Sequence, residues 1–271
     1  MSPEAQTPGK AQDTAAQFTA ARAAGRALSA YPGTPPTTLE QAYAVQAAAI
    51  ARWPQAPAGW KVARIAPAFA AQFPEERLIG PAFPANLHRP APGESARCPV
   101  FAGGFAAVEA EIIIVVAQDA PPAKADWTAD DVAPLVKSMH IGVEVASSPL
   151  ATLNDLGPAA VISDFGNNWG VVVGAEIANW QALEQIAVET FIDGQSVGQG
   201  QVSLRAGPLG ALASTLNKRA RQGAPLKAGD VISTGMITGV HDIRPGQRSR
   251  HVFAGCGELA VQITEAGPLG G

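Results

Sequence analysis

The sequence predicts a β-rich α+β fold, a barrel or sandwich of short strands with attached helices behind an N-terminal helical region. Three observations carry this. Short β-like runs separated by Gly and Pro follow one another from residue 59 to the end. Two Ala-rich stretches with helical spacing occupy the start of the chain. Only two further helix-like stretches interrupt the β-like runs. With 271 residues the chain can bury about three quarters of its unfolded surface, so no disulfide or metal staple is needed for a core. The organisation expected is a helical region over 1–55 and a β-rich domain over 56–271.

Residues 1–12 are polar, marked by Pro and Gly, and expected to fray. Residues 13–30 read as a helix with Asp13 or Thr14 as cap. YPGTPPTT (31–38) breaks it, and TLEQAYAVQAAAIARW (38–53) is a second helix with Thr38 and Gln41 at capping-box spacing. The strand-like runs are GWKVARI (59–65), VEAEIIIVVA (108–117), MHIGVEVAS (139–147), WGVVVGAEI (169–177), VETFIDG (188–194), QSVGQGQVSL (195–204), DVISTGMITG (230–239) and GELAVQIT (257–264). Helices are expected over WTADDVAPLVKS (127–138), with Thr128 as cap, and over PLGALASTLNKRARQG (208–223). The latter ends in basic residues and Gly223, as a helix C-terminus should.

Charged residues make up 15% of the chain, against roughly 25% in typical soluble domains, which points to surface covered in a homo-oligomer. The net charge of −4 argues against nucleic acid as a partner. Cys98 and Cys256 form neither a CxxC pair nor a zinc ligand set. Glu4, Lys10 and Asp13 stand where a signal peptide needs an apolar run, and no uncharged apolar stretch reaches the ~18 residues of a membrane helix. The expectation is a cytoplasmic protein without a membrane partner.

Glu109 and Glu111 lead into the apolar run Ile112–Val116. On a strand, residues i and i+2 share a face, so the two carboxylates point the same way, roughly 7 Å apart. Like charges on an apolar strand repel and are costly to bury. Water at a solvated strand end, a basic partner or a cation would relieve them. Glu144 lies in a second apolar run and shares its face with His140, Gly142 and Ala146; Gly142 leaves room for a ligand or a close backbone. Three such carboxylates suit a hard divalent cation such as Mg²⁺, while a lone one also serves as a structural hydrogen-bond partner. Lys61, between aromatic and aliphatic neighbours, either faces an anionic site or snorkels from a half-exposed strand.

Gly194-Gln195-Ser196-Val197-Gly198 matches G-x-S-x-G, and Asp230, Asp242, His241 and His251 downstream permit a Ser-Asp-His order. A nucleophile elbow needs a strand, a sharp turn and then a helix. Here Asp193-Gly194 is a hairpin signal with β-like residues on both sides, so Ser196 is expected on a hairpin with no catalytic role. No P-loop, no GxGxxG after a strand and no HExxH is found.

Taken in order, several segments resemble the fumarylacetoacetate hydrolase superfamily, and within it the 2-keto-4-pentenoate hydratase and 4-oxalocrotonate decarboxylase branch. They are Gly59-Trp60-Lys61-Val62, Val108-Glu109-Ala110-Glu111-Ile112, Ile141-Gly142-Val143-Glu144-Val145, Val161-Ile162-Ser163-Asp164-Phe165-Gly166-Asn167-Asn168, Val171-Val172-Val173-Gly174, Leu226–Gly235 with its Gly229-Asp230-Val231-Ile232-Ser233-Thr234-Gly235 run, and Gly257-Glu258-Leu259. The resemblance covers about residues 40 to 265. It implies a mixed β-barrel-like roll of the family's C-terminal type with peripheral helices. It implies a Mg²⁺ or Mn²⁺ site with Glu109, Glu111 and Glu144 as ligands, and a small-molecule 2-oxo acid as partner. Lys61 and Asp164 are its catalytic candidates, and Gly142, Ser163, Thr234 and Gly235 are to face the substrate. The activity implied is hydration of a short 2-oxo alkenoate to a 4-hydroxy-2-oxo acid; the alternative is a decarboxylase or C–C bond hydrolase on the same scaffold. The hydratase is preferred because no N-terminal His–Glu lid pair is visible. The chain departs from the family pattern at Ala63-Arg64-Ile65-Ala66, at Pro74-Glu75-Glu76-Arg77-Leu78-Ile79-Gly80, and at Phe165, which replaces an Asn. These segments shape the substrate pocket in the family.

Overall fold

The computed structural model describes residues 8–269. Helix α1 (Pro8–Ala23) starts with a proline, whose missing N–H costs nothing in a first turn. Residues 8–12, expected to fray, are therefore helical, while 1–7 lie outside the described residues. Asp13 and Thr14 lie inside the helix instead of capping it, and Thr14 Oγ1 donates to the Pro32 carbonyl at 2.8 Å. Helix α2 (Leu39–Arg52) starts where the capping spacing places it: Thr38 Oγ1 accepts from the Gln41 N–H at 3.2 Å. The reciprocal bond is displaced by one residue, with Gln41 Oε1 accepting from the Thr37 N–H at 3.1 Å. Leu39, Ala42, Val45, Gln46 and Ala49 form its buried stripe.

The remaining chain folds into two mixed sheets and three short helices, α3 (Pro67–Ala70), α4 (Pro158–Ser163) and α5 (Gly210–Arg221). The strands are β1 (Gly59–Arg64), β2 (Arg77–Ala82), β3 (Leu87–His88), β4 (Ser95–Val100), β5 (Phe105–Val116), β6 (Val136–Ser148), β7 (Asn168–Glu176), β8 (Gln185–Ile192), β9 (Gln195–Ser203), β10 (Val231–Ser233), β11 (His241–Asp242), β12 (Arg248–Phe253) and β13 (Gly257–Glu265). The larger sheet runs β2-β1-β10-β5-β6-β7-β3, with β11 also on β5; the smaller runs β4-β13-β12-β8-β9. Pairs β1–β10, β3–β7 and β4–β13 are parallel. Alternation along β5 sends Val108, Ala110, Ile112 and Ile114 into the main core against Val188, Val261 and Ile263 of the smaller sheet. Glu109, Glu111 and Ile113 point to the other face. There Ile113 meets Ala82 of β2 and Val171 of β7, which the strand order separates, so the larger sheet curls towards closure around this face. This is the mixed, barrel-like roll with peripheral helices that the sequence predicts.

Helix α1 ends at Ala23 instead of running to residue 30, and three further local expectations change. No α-helix forms over 127–138. Asp131 Oδ1 accepts from the Thr128 N–H at 2.9 Å, but Pro134 turns the chain through a short 3₁₀ segment (Ala133–Leu135) into β6. The run 230–239 keeps only three residues of strand, because Gly235 and Gly239 take φ +108° and +112°. Strands β2, β3, β4, β11 and β12 are additions. Asp193 and Gly194, both at positive φ, make the tight hairpin between β8 and β9, so no helix follows Ser196. No helix among the described residues is long and apolar enough to cross a membrane.

Candidate metal centre and active site

Strands β5 and β6 pair in long antiparallel register, which places Glu109 directly opposite Glu144 and Glu111 opposite Gly142. Each of the three glutamates offers a carboxylate oxygen, and these lie within 4.8 Å of one another. They sit in the middle of the larger sheet, with Glu109 5% and Glu111 and Glu144 0% exposed, so a solvated strand end is excluded. Glu111 Oε2 accepts from Ser233 Oγ at 2.5 Å and from the Gly235 N–H at 2.9 Å. Its Oε1 and both oxygens of Glu144 meet no hydrogen-bond donor in good geometry among the described residues. Buried oxygens without donors are rare and costly. Burial pushes Glu109 up to about 8, with Glu144 adding to the rise and Lys61 opposing it. Burial likewise raises Glu111 to about 7 and Glu144 to about 8. One ammonium cannot neutralise three such groups. An all-oxygen, anionic, donor-poor cluster is the set that Mg²⁺ or Mn²⁺ takes, so the residues fit the cation.

Lys61 is buried on β1, next to β10 and two strands from β5. Its Nζ lies 3.2 Å from Glu144 Oε1 as an ion pair and donates to Asn167 Oδ1 at 2.9 Å. Burial acts to lower its pKa, but the carboxylates of Glu144, Glu109 and Glu111 outweigh burial and hold it above the ordinary lysine value. The snorkelling alternative is thereby excluded: this lysine faces the carboxylates.

Asp164 does not reach the cluster as a proton relay. Both its oxygens are held by Arg22 of α1, Nε to Oδ1 at 2.5 Å and Nη2 to Oδ2 at 2.9 Å, and both side chains are fully buried. Arg22 also donates to the carbonyls of Ser147, Asp164 and Asn168, and its guanidinium lies 5.2 Å from the ring centres of Phe165 and Trp169. This is an internal clamp. Ser163 is also occupied elsewhere, its Oγ donating to the Ala159 carbonyl at 2.8 Å inside α4. The space at Gly142 is filled by the protein: an added Cβ would lie 2.2 Å from Ile113 Cγ1 and 2.9 Å from the Val172 carbonyl. It is the close-packing use of glycine, not a substrate contact.

A cavity of about 930 Å³ reaches the cluster at Glu109, and Lys61, Asn167, Thr234 and Gly235 line it beside Glu109, as does the exposed Asn154. Thr234 Oγ1 donates to the Ile112 carbonyl at 2.8 Å, which leaves the backbone around Gly235 as the surface presented to the cavity. Phe69, Phe73, Arg64 and Arg77 also line it. Arg64 and Arg77 face each other in register across β1 and β2, and neither forms an ion pair among the described residues. Ser196 lies outside this cavity, exposed, with Oγ donating to Glu189 Oε1 at 2.6 Å. Sequence reasoning missed Ser233, Asn167 and Arg22. The signal for Asn167 was present in Phe165-Gly166-Asn167-Asn168, a cluster of turn-forming residues just before a strand.

No family model matches the chain. Solved structures do. It is similar to 4-oxalocrotonate decarboxylase from Pseudomonas putida G7 complexed with magnesium and adipate, with a TM-score of 0.79 and 20% identity over 96% of this chain and 100% of that one. It is similar to fumarylpyruvate hydrolase from Pseudomonas aeruginosa in complex with Mn²⁺ and pyruvate, with a TM-score of 0.57 and 16% identity over 76% and 89% of the two chains. A third match is 2-hydroxyhepta-2,4-diene-1,7-dioate isomerase from Mycobacterium marinum, with a TM-score of 0.55 and 19% identity over 79% and 77%.

Proposed function

From a chain with the fold of the fumarylacetoacetate hydrolase superfamily, we propose a divalent-metal-dependent hydratase. It adds water to a short 2-oxo alkenoate of the 2-hydroxypenta-2,4-dienoate type and yields a 4-hydroxy-2-oxo acid. The observation that carries the reading is the buried triple Glu109, Glu111 and Glu144 with Lys61 against it, where Glu109 and Lys61 line the cavity. The low fraction of charged residues supports a homo-oligomer.

Glu109, Glu111 and Glu144 would hold Mg²⁺ or Mn²⁺. Bound there, the cation would supply a Lewis acid for a 2-oxo acid substrate and would stabilise negative charge that develops on it. Ser233 Oγ and the Gly235 N–H fix one oxygen of Glu111, so its other oxygen is aimed before substrate arrives. Lys61 Nζ passes a proton to the substrate carbon beside the oxo-bearing one and recovers a proton from the water that attacks the distal carbon. The enzyme thus returns to its starting state and needs no nucleophilic side chain. Phe69 and Phe73 offer apolar surface to the alkenyl chain.

A decarboxylase acting on a dicarboxylic 2-oxo acid is the second reading. Two observations favour it: the full-length match to 4-oxalocrotonate decarboxylase, and the facing Arg64 and Arg77, which offer positive charge to a second carboxylate. Incubation of purified protein with 2-hydroxypenta-2,4-dienoate and its dicarboxylate homologues, with Mg²⁺ or Mn²⁺ and NMR analysis of products, separates the two. A 4-hydroxy-2-oxo acid supports the hydratase. Release of CO₂, or of a carboxylic acid by C–C cleavage, without a hydrated product moves the assignment to a decarboxylase or hydrolase.

A further inference from the structure

We propose that Asn167 is a positioning residue that aims the Lys61 ammonium group, and that the turn Phe165–Asn167 is built to hold it there. The proposal rests on the reading of Lys61 as the proton-carrying group. Lys61 Nζ has three N–H donors. Asn167 Oδ1 takes one at 2.9 Å, while Glu144 Oε1, 3.2 Å away, forms an ion pair without hydrogen-bond geometry, so among the described residues the Asn167 contact is the directional bond that orients the ammonium group. Asn167 Nδ2 in turn donates to Asn154 Oδ1 at 3.2 Å, which fixes the plane of the amide. Asn154, Asn167 and Lys61 all border the cavity.

The backbone under Asn167 is unusual. Phe165, Gly166 and Asn167 have φ of 55°, 67° and 55° in succession. Asn tolerates this region, but a bulky residue such as Phe does so only when its surroundings enforce it. Three ties enforce it here. The Arg22 clamp holds Asp164 immediately before the turn. Gly80 lets the turn press onto β2, since a Cβ there would meet the Phe165 carbonyl oxygen at 2.1 Å. Gly80 is also the cross-strand partner of Lys61. Gln46 Nε2 donates to the carbonyls of Ile79 and Ile162, each at 3.0 Å, and so binds β2 to α4, which leads into the turn. Asp164 therefore acts through the turn, and Asn167 makes the contact with the reacting group's nitrogen.

Asn167→Gly separates the side chain from the backbone, because glycine adopts positive φ freely while the acceptor is lost. The expected result is a kcat lower by about ten- to hundredfold, the range for a lost hydrogen bond to a charged group, with KM and Mg²⁺ affinity unchanged. No further loss is expected in a Lys61→Met background, because the effect runs through Lys61. A second readout needs no turnover: the ¹⁵N signal of the Lys61 ammonium, one of six lysines, protected from exchange in the Mg²⁺-loaded protein. It should lose protection in Asn167→Gly and keep it in Asn167→Asp, which retains the acceptor. Wild-type kcat together with an undisturbed signal in Asn167→Gly overturns the proposal. If instead the signal is lost but neither Asn167→Gly nor Lys61→Met slows turnover, the contact exists and the proton-carrying role of Lys61 is what fails. Should no 2-oxo acid be turned over by the wild type, the ammonium signal alone decides whether Asn167 positions Lys61.

Discussion

Replacing Glu144 with Gln should make the metal-free protein more stable at pH 8 while removing its stabilisation by Mg²⁺. Glu144 is wholly buried, and burial pushes its carboxyl up to about 8, against an ordinary value of 4.5. The folded state therefore holds this proton more tightly than the unfolded state. Stability contributed by the protonated form is present below about 4.5 and is lost as pH rises through about 8. At about 1.4 kcal/mol per pKa unit the loss has a ceiling of about 5 kcal/mol. Sharing of protons among three neighbouring carboxylates reduces it, so the loss should fall below that ceiling. Gln has nearly the same shape and no charge, so it escapes this loss but surrenders a cation ligand, while Glu109 and Glu111 remain to balance Lys61. Urea denaturation of both proteins near pH 5 and near pH 8, in EDTA and in Mg²⁺, reads the effect. The variant should exceed the wild type only near pH 8 in EDTA. Only the wild type should gain in Mg²⁺, by about 2.7 kcal/mol at a hundredfold excess over Kd. A variant less stable than the wild type in EDTA at pH 8, or one stabilised equally by Mg²⁺, would refute the reasoning.

Lys61→Met should lower kcat by about 10²–10⁴ with little change in KM, as for a group that moves a proton; a raised KM at constant kcat would instead mark it as a binder of substrate charge. Arg22→Met leaves Asp164 buried without its partner and should cost about 3–5 kcal/mol in denaturant unfolding; a loss below about 1 kcal/mol would show that the clamp is not structural. Ser196→Ala should keep full activity and a fluorophosphonate probe should leave Ser196 unlabelled, since its hydroxyl is spent on Glu189 at the surface.

Residues whose roles follow from local periodicity are readable in the sequence. Glu109 and Glu111 share a face because strand alternation is a two-residue rule, and Glu144 stood out as the one charge in an apolar run. Their convergence depends on the β5–β6 register, which joins residues far apart in sequence. Strand β12 is not legible in the sequence because its inward positions include Ser249 and His251, so hydrophobic alternation is absent. His251 is satisfied inside the protein by Thr190 at 3.1 Å and Ser249 at 2.9 Å. Arg22 lies in an Ala-rich helix where an arginine normally marks the solvent face, and only the distant Asp164 explains its burial. The same long-range pairing withdraws Asp164 from the role its motif position suggested. Gly198, part of the G-x-S-x-G match, owes its small size to the loop after β10: a Cβ there would lie 2.5 Å from the Thr238 carbonyl and from His241 Cε1.

Anomalous scattering from crystals grown with Mn²⁺ tests the central claim most directly. One strong peak about 2.1–2.2 Å from oxygens of Glu109, Glu111 and Glu144 is the result expected, and Glu144→Gln should weaken or abolish it. A peak elsewhere, or none at millimolar Mn²⁺ with the three carboxylates still converging, would contradict the assignment of this cluster as the metal centre.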